Sequence, residues 1–127
     1  MEDGDLIKLW DYNQRMTRVI HFKNKKGLPN EVYIGRPRDD CRFHFGNPFS
    51  HKINSKAARH LPEGLVLTAF ESWLKKEDYL EIEPERRDWI LENLNSLKNK
   101  ILVCWCKPKK CHGDVYVKML EGQEELF

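Results

Sequence analysis

Ile101-Leu-Val103 is an uninterrupted apolar run that leads directly into Cys104. A strand with one wet face alternates apolar and polar residues. A run without alternation fits a strand covered on both faces, as in a parallel sheet flanked by helices. That requirement points to an α/β chain in which helices bury a small central sheet. The length allows it: 127 residues make one domain, and with 40% hydrophobic and 11% aromatic residues the core can bury roughly two-thirds of the unfolded surface.

The remaining elements follow from local pattern. Thr17–Phe22 is rich in β-branched and aromatic residues and reads as a first strand. Gly27 and Pro29 mark a turn, and Glu31–Gly35 reads as a second strand stopped by Gly35 and Pro37. From Arg36 to Asn54 the chain looks irregular, because Gly46-Asn-Pro48 forbids regular structure. A loop of that length inside a compact domain argues for function. Ile53–His60 is expected to make a short helical turn. A helix is predicted from Pro62 to Lys76, where Leu65, Ala69 and Trp73 recur with helical spacing. A second is predicted from Pro84 to Leu97, with Trp89, Ile90, Leu94 and Leu97 as its apolar stripe. A last helix is expected over Gly113–Leu120, stopped by Gly122. The expected order is strand, strand, long loop, helix, helix, strand, helix, around a small central, partly parallel sheet. Residues 1–30 read as an N-terminal extension plus the first strand, residues 31–121 as the domain proper, and residues 122–127 as an acidic tail.

Charge narrows the function classes. Lys and Arg number 22 against 20 Asp and Glu, so net charge alone does not announce a nucleic-acid binder. Lys98, Lys100, Lys107, Lys109 and Lys110 nevertheless concentrate beside the cysteine segment, as a phosphate-holding patch or a solvated loop. No apolar run approaches the ~20 residues needed to span a bilayer, and the acidic start Met1-Glu-Asp-Gly-Asp5 lacks the features of a signal peptide. A cytoplasmic location and no membrane partner are expected. In a reducing cytosol four cysteines point to metal ligands, reactive thiols or buried side chains rather than disulfides.

The chemistry is concentrated in Cys104-Trp-Cys-Lys-Pro-Lys-Lys-Cys-His-Gly-Asp114. Cys104 and Cys106 stand two apart at a strand end, a spacing that points both side chains the same way. Cys111 and His112 lie at the start of the last helix, where unpaired amides and the helix dipole lower a thiol's pKa. Three readings stay open. Cys104, Cys106, Cys111 and His112 are a tetrahedral zinc set. Alternatively, Cys111, His112 and Asp114 form a catalytic group. The third reading is inert side chains packed beside Trp105, which reads as core rather than as a stacking platform. Asp114 caps the helix, orients His112, or does both.

Arg36 follows a strand and Gly35, a position from which its planar fork can grip phosphate or carboxylate. Gly35 would admit a ligand or a second backbone. Asn47, before Pro48, is a turn-former or a base-reading side chain. His44, His51 and His60 lie nearby as further acid/base or metal-ligating candidates, and Cys41 has no obvious partner in sequence.

Taken together, Tyr33-Ile-Gly-Arg36, Gly46-Asn-Pro-Phe49, Trp73-Leu74, Leu102-Val-Cys-Trp-Cys-Lys-Pro108 and Cys111-His-Gly-Asp114 resemble the domain of unknown function numbered 4326, found in bacteria, phages and large DNA viruses. The similarity covers roughly residues 31–121 and leaves residues 1–30 outside it. The resemblance implies a small α/β domain whose signature falls on Gly35, Arg36, Asn47, Pro48, Cys104, Trp105, Cys106, Cys111, His112, Gly113 and Asp114. It implies no reaction. It does favour one shared site for residues so far apart in sequence, and so strengthens the functional reading of Arg36 and Asn47. Pro37–Phe45 is longer than the family pattern, which leaves Cys41 and His44 outside it.

Three functions compete. The first is a nucleotide- or nucleic-acid-directed enzyme in which Gly35, Arg36, Asn47 and Lys107 bind ligand while His112, Asp114 and Cys111 do chemistry. The second is a non-catalytic binding module for the same ligands, and the third is a zinc-stabilised interaction domain.

Overall fold

The computed structural model describes residues 17–125 apart from residues 38, 40, 54, 56, 107 and 108. Its centre is a three-stranded parallel sheet in the order β1-β5-β2, made by β1 (Arg18–His21), β2 (Glu31–Tyr33) and β5 (Ile101–Cys104). The apolar run is the middle strand. Ile101 stands opposite both Arg18 and Glu31, and Cys104 opposite His21. All four residues of β5 are buried, as a strand paired on both edges and covered on both faces must be.

Three α-helices supply the core: α1 (Val66–Leu74), α2 (Pro84–Asn93) and α3 (His112–Glu125). α1 buries Ala69, Phe70, Trp73 and Leu74, and a 3₁₀ turn over Glu63–Leu65 precedes it. The Trp73 indole N–H donates to Ile82 O at 2.6 Å, which satisfies the polar edge of an otherwise fully buried ring. Pro84 opens α2 from N1, where its missing N–H costs nothing. That helix ends in a 3₁₀ turn over Leu94–Leu97. α3 buries Val115, Tyr116 and Leu120.

α3 starts hard against the sheet. A Cβ on Gly113 would lie 2.8 Å from Ile34 Cδ1 and 3.0 Å from Val19 Cγ2, so any larger residue would have to push those side-chain ends aside. This contact sets the first turn of α3 against β1 and the carboxyl end of β2, at the edge where open parallel sheets bind ligands.

Three local expectations are corrected. Gly122 does not stop the last helix, which runs on to Glu125; a glycine ends a helix by turning left-handed itself, and Gly122 does not. Arg59–His60 is not part of a helical turn but a short strand, β4. It pairs in parallel with β3 (Phe49–Ser50), inside the segment expected to be irregular. Asn54 and Lys56 of the expected helical turn lie outside the described residues. Among the described residues no helix is long and apolar enough to cross a membrane.

Candidate functional site at the carboxyl edge of the sheet

Two layers meet at this edge, and they differ in how their polar atoms are used. The inner layer is organised by the segment His44–Phe49, most of which lies outside any strand ladder. Its carbonyls therefore need partners from side chains, and they have them. Arg86 Nη1 donates to His44 O at 3.0 Å and to Gly46 O at 2.6 Å. Tyr116 Oη donates to Phe45 O at 2.6 Å. Arg36 Nε donates to Asn47 O and its Nη2 to Phe49 O, both at 3.1 Å. The Arg59 amide completes the set by donating to Pro48 O at 3.1 Å. The carbonyls of six consecutive residues are thus engaged, five of them by two arginines and a tyrosine.

The sequence-selected polar residues belong to this layer. Asn47 Oδ1 accepts the Phe49 amide at 2.8 Å, the local turn that asparagine favours. Arg36 grips two carbonyls. Burial and then the charge of Arg86 pull its pKa down from the ordinary arginine value. Gly35 leaves room for Tyr33: a Cβ there would lie 2.3 Å from that residue's own hydroxyl. Asp114 Oδ2 accepts the Cys111 amide at 3.0 Å, capping the start of α3. His44 Nδ1 accepts the Gly46 amide at 3.1 Å; burial first, and then Arg86, lower its pKa to about 4.

His112 is buried between Phe70 and Tyr116, both edge-on to its ring. Its Nε2 lies 2.7 Å from Ile34 O. A carbonyl only accepts, so Nε2 carries the proton. Burial pushes the pKa of His112 below the ordinary histidine value, so the ring stays neutral and Nδ1 keeps its lone pair. That lone pair faces Cys111 Sγ at 3.7 Å.

The thiols of Cys104, Cys106 and Cys111 hydrogen-bond among themselves. Cys104 and Cys111 are fully buried, whereas Cys106 stands exposed on a bend beyond β5. The Cys111 thiol is pushed well above its ordinary value by its bonds to Cys104 and Cys106 and then by burial. Gly113 N–H donates to its sulfur at 3.3 Å and acts in the opposite direction, without prevailing. The low thiol pKa expected from the helix start is therefore reversed by the neighbouring sulfurs. Cys106 is also raised, first by its bond to Cys104. Among the described residues no disulfide joins the cysteines, and no group of three or more His, Cys, Asp or Glu side chains is placed to hold a metal ion.

The outer layer is aromatic and basic. Trp105, expected in the core, is 51% exposed. It stacks on Phe22 with ring centroids 4.2 Å apart and meets His21 edge-on. Its indole N–H donates to Tyr33 Oη at 2.9 Å, and Tyr33 in turn donates to Arg36 O at 3.1 Å. The three aromatic anchors come from the ends of the three parallel strands. Lys23, Lys25 and Lys26 are exposed on the turn after β1, with Lys25 Nζ 3.9 Å from the Phe22 ring centroid. Lys109 and Lys110 are exposed on the turn after Trp105. Glu31, the nearby acid, is turned onto its own loop, where the amides of Lys26 and Gly27 hold its carboxylate below the usual range.

The model of a domain of unknown function, DUF4326, matches residues 18–122. The chain belongs to the DUF4326 family. The match starts at β1 and so takes in Phe22 as well as the cysteine segment. No curated protein and no solved structure matches the chain.

Sequence reasoning did not single out Arg86, Tyr116 or Phe22, and took Tyr33 only as part of the Tyr33-Ile-Gly-Arg36 motif. The only local signal for Arg86 was an arginine pair opening a helix that otherwise buries apolar residues. For Phe22 it was an aromatic at a strand end beside Lys23, Lys25 and Lys26. Lys107, selected from the sequence, lies outside the described residues. His51 and His60 are exposed, with His60 3.4 Å from Ser55 Oγ. Exposed Cys41 donates to Phe43 O at 3.2 Å.

Proposed function

We propose that this DUF4326 domain binds single-stranded nucleic acid across the carboxyl edge of its sheet. Bases stack on Trp105 and phosphates pair with Lys23, Lys25, Lys26, Lys109 and Lys110. One observation carries the reading. A tryptophan at the end of the central strand is half exposed, braced by Phe22 and Tyr33 from the flanking strands, and bordered by exposed lysines on two turns. An aromatic face held rigid beside a basic track is how proteins hold single strands with little sequence preference. A braced ring also loses less freedom on binding.

Binding without turnover is favoured over catalysis. His112 Nε2 is committed to Ile34 O and Asp114 to the Cys111 amide, and His112 is buried. Arg36 and Asn47 support the ledge from beneath rather than reaching the ligand.

The test is fluorescence anisotropy of a short labelled oligothymidylate titrated with the protein at several salt concentrations. Trp105→Ala is expected to weaken binding by about tenfold or more, since base–aromatic stacking is worth ~1–3 kcal/mol. With three to five lysine contacts, the log affinity should fall against log salt with a slope of about −2 to −3.5. Thymidine monophosphate in competition separates a single-nucleotide pocket from a track. Binding that ignores both Trp105 and salt would refute the proposal.

A further inference from the structure

We infer that the ledge takes one base at a time, on the open face of Trp105, and that His21 gives it a modest preference for a keto base. The inference rests on the nucleic-acid reading and names its ligand class: single strands that offer one unstacked guanine, thymine or uracil.

The one-base capacity follows from how the aromatic column ends. Phe22 lies nearly parallel to Trp105, with centroids 4.2 Å apart and planes 20° off, and so covers one face of the indole. Lys25 Nζ stands 3.9 Å from the Phe22 centroid. Trp105 already occupies the near face of that ring, so the ammonium caps the far one, where the ring attracts a cation. The column is closed at Lys25 and ends at Trp105. Tyr33 is no second platform. It meets Phe22 edge-on, at 76°, and its hydroxyl is bonded to both Trp105 and Arg36. With Phe22 on one side and 51% of the residue still exposed, the other face of Trp105 is the surface left for a base.

The preference follows from His21, at the end of β1. Its ring meets Trp105 at 87° with centroids 5.8 Å apart, so it borders the indole without offering a second stacking surface. Its Nδ1 accepts the Lys23 amide at 3.0 Å. A backbone amide only donates, so in the neutral ring Nδ1 carries the lone pair and Nε2 the proton. Among the described residues Nε2–H has no partner, and it is not sealed from solvent. A fixed donor beside a stacked base discriminates by the exocyclic group it meets. Guanine, thymine and uracil present a carbonyl oxygen where adenine and cytosine present an amine. That amine is a second donor and would leave His21 unpaired.

The experiment uses the full chain and short labelled strands that are abasic except for one thymine, two adjacent thymines or one adenine. Anisotropy titrations compare them with the oligothymidylate. The second thymine should raise affinity by no more than about twofold, the statistical gain of another register, whereas a second stacked base would add about tenfold. The one-adenine strand should bind about fivefold more weakly than the one-thymine strand, the order of one unmade hydrogen bond. His21→Phe keeps a ring against Trp105 and removes the donor. It should bring the one-thymine strand down to the one-adenine strand and leave the latter unchanged. Loss of bracing alone would weaken both strands equally. A gain of about tenfold or more from the second thymine overturns the one-base capacity while the nucleic-acid reading stands. A parent without thymine preference, a preference that survives in His21→Phe, or equal weakening of both strands overturns the role of His21. Absence of binding to the oligothymidylate itself fails the nucleic-acid reading, and this inference with it.

Discussion

The inner layer around His44–Phe49 and the outer ledge around Trp105 are adjacent, yet they treat polar and aromatic groups in opposite ways. In the inner layer the side chains that look most chemical, Arg36, Asn47, Arg86, His112 and Asp114, are bonded to the backbone. In the outer layer a tryptophan that composition would place in the core is half exposed, with exposed lysines on the turns beside it. A segment without a strand ladder must satisfy its carbonyls somehow. Here that need absorbs the arginines and leaves recognition to residues on the strand ends. Polar residues brought to one place can therefore be the support of a site rather than the site itself.

The largest expected effect probes the inner layer. Arg86→Ala removes two carbonyl partners and the ion pair with Glu83, whose oxygens lie 3.2 and 3.0 Å from the guanidinium. Denaturant unfolding should show a loss of about 3 kcal/mol, in the range for breaking a buried pair. A loss below about 1 kcal/mol would mean that the carbonyl clamp is ornamental. Gly113→Ala comes next. Its Cβ would press on Ile34 and Val19, at a cost of about 1–3 kcal/mol, measurable by the same method.

The acid limb of stability follows. His44 has a folded-state pKa of about 4 against an ordinary 6.5, through burial and then Arg86, and burial also lowers His112. Above pH 6.5 both states are neutral and stability is fully present. Between about 6.5 and 4 the unfolded chain takes up a proton that the native His44 refuses, so stability falls as pH falls. His44→Asn should flatten that decline, and an unchanged pH–stability curve would remove His44 from the explanation. The smallest effect is on the ledge. Trp105→Ala should cost under about 1 kcal/mol of stability, as expected for a half-exposed side chain away from the core.

The fold was legible where one face or both faces of an element are apolar. The run Ile101–Val103 announced a buried parallel strand, and the spacing of Leu65, Ala69 and Trp73 announced α1, although Leu65 itself lies exposed in the 3₁₀ turn before it. β3 and β4 were not legible, because two-residue strands carry no periodicity. The carbonyl clamp was hidden for a different reason. Arg86 and Tyr116 meet their partners across 40 and 71 residues of chain, and no local pattern reports such a contact. The cysteine segment was visible as a cluster. The direction of the Cys111 shift was not, since it depends on which sulfurs lie beside it. Trp105 was misplaced because its bracing by Phe22 and Tyr33 comes from two other strands.

The most direct test compares Trp105→Ala with Asn47→Ala for affinity to the labelled oligothymidylate, each confirmed as folded by circular dichroism. The division of labour proposed here expects Trp105→Ala to keep its stability and lose about tenfold or more in affinity. It expects Asn47→Ala, which orphans the buried Phe49 amide, to lose about 1–3 kcal/mol of stability while the folded protein binds as before. Folded Asn47→Ala that fails to bind, beside Trp105→Ala that binds normally, would place recognition in the inner layer and contradict the account.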